Sequence, residues 1–315
     1  MTSPAKPFLL VLMCLAAAPA VAAEPVLLRY KFAKGDQIVY RNTHQEKQQQ
    51  TIGDMKLDST TRNEVVVAQV VEEIDGDGNA IIKTKDVSRK TKVDGQQGKY
   101  EFDSKSTERD MASETGAAVT PYLERLTGSE YVVKVSPRGE VIEVKGFAEL
   151  IADLVKDNPL GALLAGASVD NDGAKHTAQQ ELVTFSAKPV SPGDTWEDSV
   201  ETVLKNIGKL KATVVYTYEG DDKVGNRKTL RLGVKTDLTI DLELEVPGAK
   251  ITGTMSTTSS EGTVQFDPAA GRIVTSTHKI GMSGRLMVDA GGMMIPVDNS
   301  EEHVNTSELL EKVPE

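Results

Sequence analysis

Leu230-Arg231-Leu232-Gly233-Val234-Lys235-Thr236-Asp237-Leu238-Thr239-Ile240-Asp241-Leu242-Glu243-Leu244-Glu245-Val246 is the stretch that decides the fold. Apolar residues alternate with charged and hydroxyl ones, and only Thr236 breaks the apolar series. A period of two puts the two sets on opposite faces of a strand, one dry and one wet. At about 3.3 Å per residue the run extends over roughly 50 Å, several times the length of an ordinary strand. It therefore either bends strongly or divides in two, and in both cases belongs to a large, curved antiparallel sheet with one face in solvent.

Turn signals cut the rest of the chain into hairpins. Gly53-Asp54, Asp75 to Asn79, Asp94 to Gly98, Pro137-Arg138-Gly139, Gly220 to Asn226, Pro247-Gly248, Asp267 to Gly271 and Gly291-Gly292 each sit between β-branched runs. Connections this short favour up-and-down neighbours. Two segments have helical spacing instead, near 117–127 (Val119, Tyr122, Leu123, Leu126) and over 147–165 (Phe147, Leu150, Ile151, Leu154, onward to Leu164). The expected fold is mainly β (α+β): two related curved antiparallel sheet units, half-barrel-like, with one or two helices over the apolar face.

The relation between the units rests on an internal repeat. Tyr30-Lys31-Phe32-Ala33-Lys34-Gly35-Asp36 is echoed by Pro189-Val190-Ser191-Pro192-Gly193-Asp194-Thr195-Trp196, and each half ends with a strand, a Pro-containing Gly turn and a strand. This gives a first unit over 24–165, a joint over 166–188, a second unit over 189–304 and a tail over 305–315. The two echoes, with Val264-Gln265-Phe266-Asp267-Pro268-Ala269-Ala270-Gly271-Arg272, also resemble a family of exported bacterial proteins of about this length and unknown function. The resemblance covers most of the chain beyond residue 23, rests on turns, and implies no activity. More distantly, a curved sheet embracing helices resembles the periplasmic carriers of lipoproteins and lipids, an analogy of architecture alone.

Residues 1–23 read as a secretory leader: Lys6, an apolar run from Phe8 to Ala18, then Pro19-Ala20-Val21-Ala22-Ala23. The expectation is a soluble periplasmic or extracellular protein with no transmembrane segment, the apolar run falling short of the roughly 20 residues a span needs. The only cysteine, Cys14, lies inside that run after Met13, without the setting of a lipid-attachment site, so disulfides and thiolate chemistry are not expected. A formal charge of −11, one unit more negative once Lys6 is removed, argues against nucleic acid and anionic membranes as partners.

Candidate sites are few. Asp75, Asp77 and Asn79 partly match a calcium loop, but Ala80 stands where the loop needs Gly, and an Asx turn accounts for the same residues. Gly35, Asp36, Gly193, Asp194 and Trp196 read as structural turns, the second a type II turn before a core tryptophan. Ser276 and Lys279 have the spacing of an acylation pair but point to opposite faces of a strand. Gly281 to Arg285 falls one residue short of a nucleophile elbow. His44, His176, His278 and His303 are scattered, so no metal site, no cofactor and no catalytic residue is expected. Met282, Met287, Met293 and Met294 are candidates to line a greasy groove, or to fill an aromatic-poor core. The expectation is a non-enzymatic envelope carrier of a hydrophobic ligand; the alternative is a protein-interaction module of the envelope with no small ligand.

Overall fold

The alternation in Leu230–Val246 becomes one unbroken strand, β9 (Arg227–Val246). A computed structural model describes residues 24–96, 98–155, 171–204, 208–246 and 248–314. The remaining strands are β1 (Gln37–Ile52), β2 (Met55–Ile74), β3 (Ala80–Gly95), β4 (Gly98–Asp103), β5 (Glu130–Val135), β6 (Val141–Lys145), β7 (Thr195–Leu204), β8 (Gly208–Val224), β10 (Ala249–Asp267), β11 (Arg272–Ala290) and β12 (Met293–Leu310). Three helices lie among the described residues: α1 (Glu114–Leu126), α2 (Phe147–Val155) and α3 (Asn171–Gln180). The stretch from 156 to 165, expected as a continuation of the second helix, lies outside the described residues.

The strands form a single open antiparallel sheet in the order β6-β5-β3-β2-β1-β12-β11-β10-β9-β8-β7, with β4 paired to the far part of β3. The two halves meet where β1 pairs β12, from Val39 opposite Leu310 to Ile52 opposite Val297. Residues 305–310, expected as a tail, are therefore the last turn-free part of β12. The expected joint contains α3, which sequence periodicity does not announce because its apolar face consists only of Ala174 and Ala178 packed on β3, β5 and β6. No helix among the described residues is long and apolar enough to cross a membrane, which says nothing of strands. The wet face of β9 carries Arg231, Lys235, Asp237, Asp241 and Glu243, all exposed.

The repeated turns are built alike. In the first, Gly35 (φ 89°) donates its amide to Val71 O, Val71 N–H donates to Asp36 O, and the Asp36 carboxylate accepts Ala33 N–H. In the second, Gly193 (φ 95°) donates to Tyr218 O, Tyr218 N–H to Asp194 O, and the Asp194 carboxylate accepts Ser191 N–H. Each turn thus fastens the start of one strand, β1 or β7, to a bulge near the end of the next, β2 or β8. The late turns match too, and the extended segment 26–32 threads between them: Tyr30 N–H donates to Pro137 O and Lys31 N–H to Gly271 O.

That segment and residues 183–190 close one end of the half-barrel. Val26 and Val190 form a bridge, and Tyr30, Phe185 and Phe266 pack ring on ring with centroids 4.7–6.1 Å apart. Trp196 stacks on Tyr216 at 5.4 Å and donates its indole N–H to Thr184 O. Phe185 and Phe266 are almost wholly buried, so much of the scarce aromatic content is spent here, on a plug.

Candidate functional site

Above the aromatic plug the inner face of the sheet does not close on itself. It surrounds a cavity of about 1500 Å³ roofed by α3. One flank is apolar because the alternating residues of β8 and β9 face inward, among them Leu210, Ala212, Val214, Leu238 and Ile240. The other flank is Val65 and Val67 of β2, Val133 of β5 and the Tyr131–Phe147 ring pair. Gln179 seats the roof by accepting Val141 N–H and donating to Gly139 O, and Asn42 of β1 reaches across to donate to the Glu181 carboxylate just beyond α3. Glu181 is open to the cavity yet crowded by protein atoms around it, and this partial desolvation raises its pKa.

Between the apolar flanks runs a polar stripe on the two central strands. His44, Glu46 and Gln48 of β1 share the inward parity and stand opposite Asn305, His303 and Glu301 of β12. His44 Nδ1 donates to Asn305 Oδ1 at 2.7 Å, and the His44 and His303 rings stack with centroids 5.5 Å apart. Glu301 accepts Asn299 and Gln48 amide groups on one oxygen and His303 Nε2 on the other. Burial pushes the Glu301 carboxyl up, but those three hydrogen bonds more than offset it and hold it below the usual range. Glu46, 3.8 Å from His44 Nε2, raises the pKa of His44. Among the described residues one group of metal-binding side chains lies together: His44, Glu46 and His303, with one donor atom from each within 4.8 Å of the others.

That cluster departs from the expectation of scattered histidines. The signal was His44-x-Glu46 and Glu301-x-His303-x-Asn305, spacings that share one face of a strand; what sequence alone withheld was that β1 pairs β12. A third histidine, His278, faces Thr236 Oγ1 and Ser260 Oγ at 3.3 and 3.2 Å, and burial lowers its pKa. Ser276 and Lys279 lie on β11 with opposite parity, and Lys279 pairs outward with Glu302.

Of the four methionines, Met282 is buried on the cavity wall; Met287 has the opposite parity on β11, and Met293 and Met294 are exposed at the β11–β12 tip. Asp75 sits in the β2–β3 turn, where one carboxylate oxygen accepts Asp77 and Asn79 N–H and the other accepts the Asn79 amide and lies 2.8 Å from Lys134 Nζ. Both oxygens are committed to the turn and to the neighbouring strand, and these contacts hold the carboxyl well below its ordinary value.

Fold and site together define an open antiparallel half-barrel, plugged at one end and enclosing a large cavity with a polar stripe. The chain belongs to a family of unknown function, DUF6263, whose model matches residues 77–273, from the β2–β3 turn to the start of β11. No curated protein matches it. Among solved structures it is similar to lipovitellin, described for its lipid–protein interactions, at 10% identity and a TM-score of 0.42, over 90% of this chain and 26% of that one. The chain thus spans about a quarter of lipovitellin's length. An exported protein of YmcC-like fold from Bacteroides fragilis matches at 11% identity and a TM-score of 0.31, over 91% of this chain and 99% of that one. The β domain of the Bordetella autotransporter BrkA matches at 10% identity and 0.21, over 86% and 98%. At these values none of the likenesses bears on what the chain does.

Proposed function

We propose that this is an exported, non-catalytic carrier that holds one hydrophobic or amphipathic molecule inside the half-barrel. The observation that supports it is the cavity of about 1500 Å³ walled by Leu210, Ala212, Val214, Leu238 and Ile240. Apolar side chains facing a space of that size gain their burial from whatever fills it, at about 25 cal/mol per Å² removed from water. Pockets for drug-sized ligands measure roughly 300–1000 Å³, so this one has room for something larger, of the size of an acyl lipid. The charged outer face of β9 keeps the opposite side of the sheet in water, and residues 1–23 direct export.

Native mass spectrometry of the protein taken from its own host's envelope, compared with the same sample denatured, tests this. A discrete mass lost on denaturation is expected; a bare chain would move the reading to a protein-interaction module. Ala212, opposite Leu238 in the register, gives the second test. Ala212→Trp places an indole in the cavity and should weaken uptake of a fluorescent fatty acid at least tenfold with the far-ultraviolet spectrum unchanged. Uptake equal to wild type would place binding elsewhere.

A further inference from the structure

We infer that His44, Glu46 and His303 form a zinc site on the cavity wall, a reading that does not depend on the hydrophobic ligand. Donors about 2.0–2.2 Å from zinc stand roughly 3.4 Å apart in a tetrahedron. His44 Nε2 and a Glu46 oxygen are 3.8 Å apart, and no two of the three donors are more than 4.8 Å apart. Small rotations of these half-buried side chains on two adjacent strands close the remainder.

Asn305 Oδ1 can only accept, so His44 Nδ1 bears a proton, and Nε2, which faces Glu46, is the nitrogen left to take a metal in place of its own proton. Glu301 accepts from His303 Nε2, which leaves the lone pair on Nδ1. Each imidazole is therefore fixed in one tautomer by an acceptor behind it, the arrangement that orients metal-ligating histidines. Glu301 is itself held by Gln48 and Asn299, a further layer of support. Charge points the same way. Among the described residues Glu46 and Glu301 have no Lys or Arg ion pair; their only charged partners are the two histidines. Two carboxylates in a partly desolvated wall, with no Lys or Arg paired to them, are compensated by a divalent cation between them. Two nitrogens and one oxygen suit zinc and its transition-metal neighbours, not calcium or magnesium, which take oxygen ligands. Since His44 and His303 line the cavity, the fourth coordination position opens into it.

The test uses the mature chain without a histidine tag, stripped with EDTA and titrated with zinc chloride against a chromophoric chelator. One equivalent is expected to bind with a micromolar or lower Kd and to survive excess calcium. His44→Gln and His303→Gln should each weaken it at least a hundredfold, and Asn305→Leu by about 10–100-fold at unchanged stoichiometry. Because a variant in the sheet centre can lose its fold, the wild type is also loaded with Co²⁺, whose visible absorption is intense for four-coordinate geometry and faint for six-coordinate. No zinc uptake by the wild type, equal uptake by the H44Q/H303Q double variant, displacement by calcium, or a faint six-coordinate cobalt spectrum would each overturn the assignment.

Discussion

Gly139→Ala is expected to destabilise the protein by at least about 3 kcal/mol, while the same change at Gly193 costs about 1–2 kcal/mol. Both glycines have the positive φ that L side chains avoid, 89° and 95°. They differ in what surrounds them. A Cβ on Gly193 meets nothing within 4 Å, so only the backbone strain is felt. A Cβ on Gly139 falls 2.2 Å from Val183 O and 2.6 Å from the Tyr30 ring, against the two segments that plug the half-barrel. Neither can yield without disturbing the Tyr30 N–H bond to Pro137 O and the ring cluster behind it. Gly271 repeats the situation in the second half, with Lys31 N at 2.4 Å, and Gly35 repeats the open one. The four alanine variants should therefore fall into two pairs by chemical denaturation, Gly139 and Gly271 far below Gly35 and Gly193. Equal losses at Gly139 and Gly193 would mean that the segment 26–32 is not clamped between the two late turns.

How much of this was legible in the sequence follows from which face of each strand meets a packed core. β9 declared itself because its inner residues are Leu, Val and Ile, and the turn glycines declared themselves because positive φ restricts the choice of residue. β1 and β12 were mute. Their inner faces carry Asn42, His44, Glu46 and Gln48 against Asn299, Glu301, His303 and Asn305, so alternation is present but runs from one polar type to another. A strand that faces a cavity is free of the hydrophobic demand that makes strands readable. The cluster of His44, Glu46 and His303 shares that cause: its two halves lie near opposite ends of the chain and meet only through the β1–β12 register. α3 escaped for a milder reason, since a helix seated by Ala174, Ala178 and the Gln179 side chain needs no apolar stripe.

Arg89→Met should cost about 3–5 kcal/mol at neutral pH, because it strands a buried carboxylate. Asp86 is only 6% exposed, at the bulge where β3 crosses β2. One of its oxygens accepts both Arg89 Nε and Nη2, at 3.1 and 2.6 Å, and the other accepts nothing from the described residues. Desolvation by burial pushes the Asp86 carboxyl above its ordinary range, and the attraction of Arg89 only partly offsets it. A carboxyl whose folded pKa is raised holds its proton in the native state over a window in which the unfolded chain has lost it, so stability from this group falls as pH rises through that window. Removing Arg89 raises the folded value further and widens the window upward. The gap between variant and wild type should then be full at neutral pH and shrink as the pH falls toward the ordinary Asp range of about 4, as Asp86 takes up a proton in the native state of both proteins. Replacing both partners, Asp86→Leu with Arg89→Met, removes the charge along with its partner and should restore stability to within about 1–2 kcal/mol of wild type. Urea melts at a series of pH values measure all three proteins, and a loss in Arg89→Met that does not shrink on acidification would show that the guanidinium acts through packing rather than by holding the buried charge.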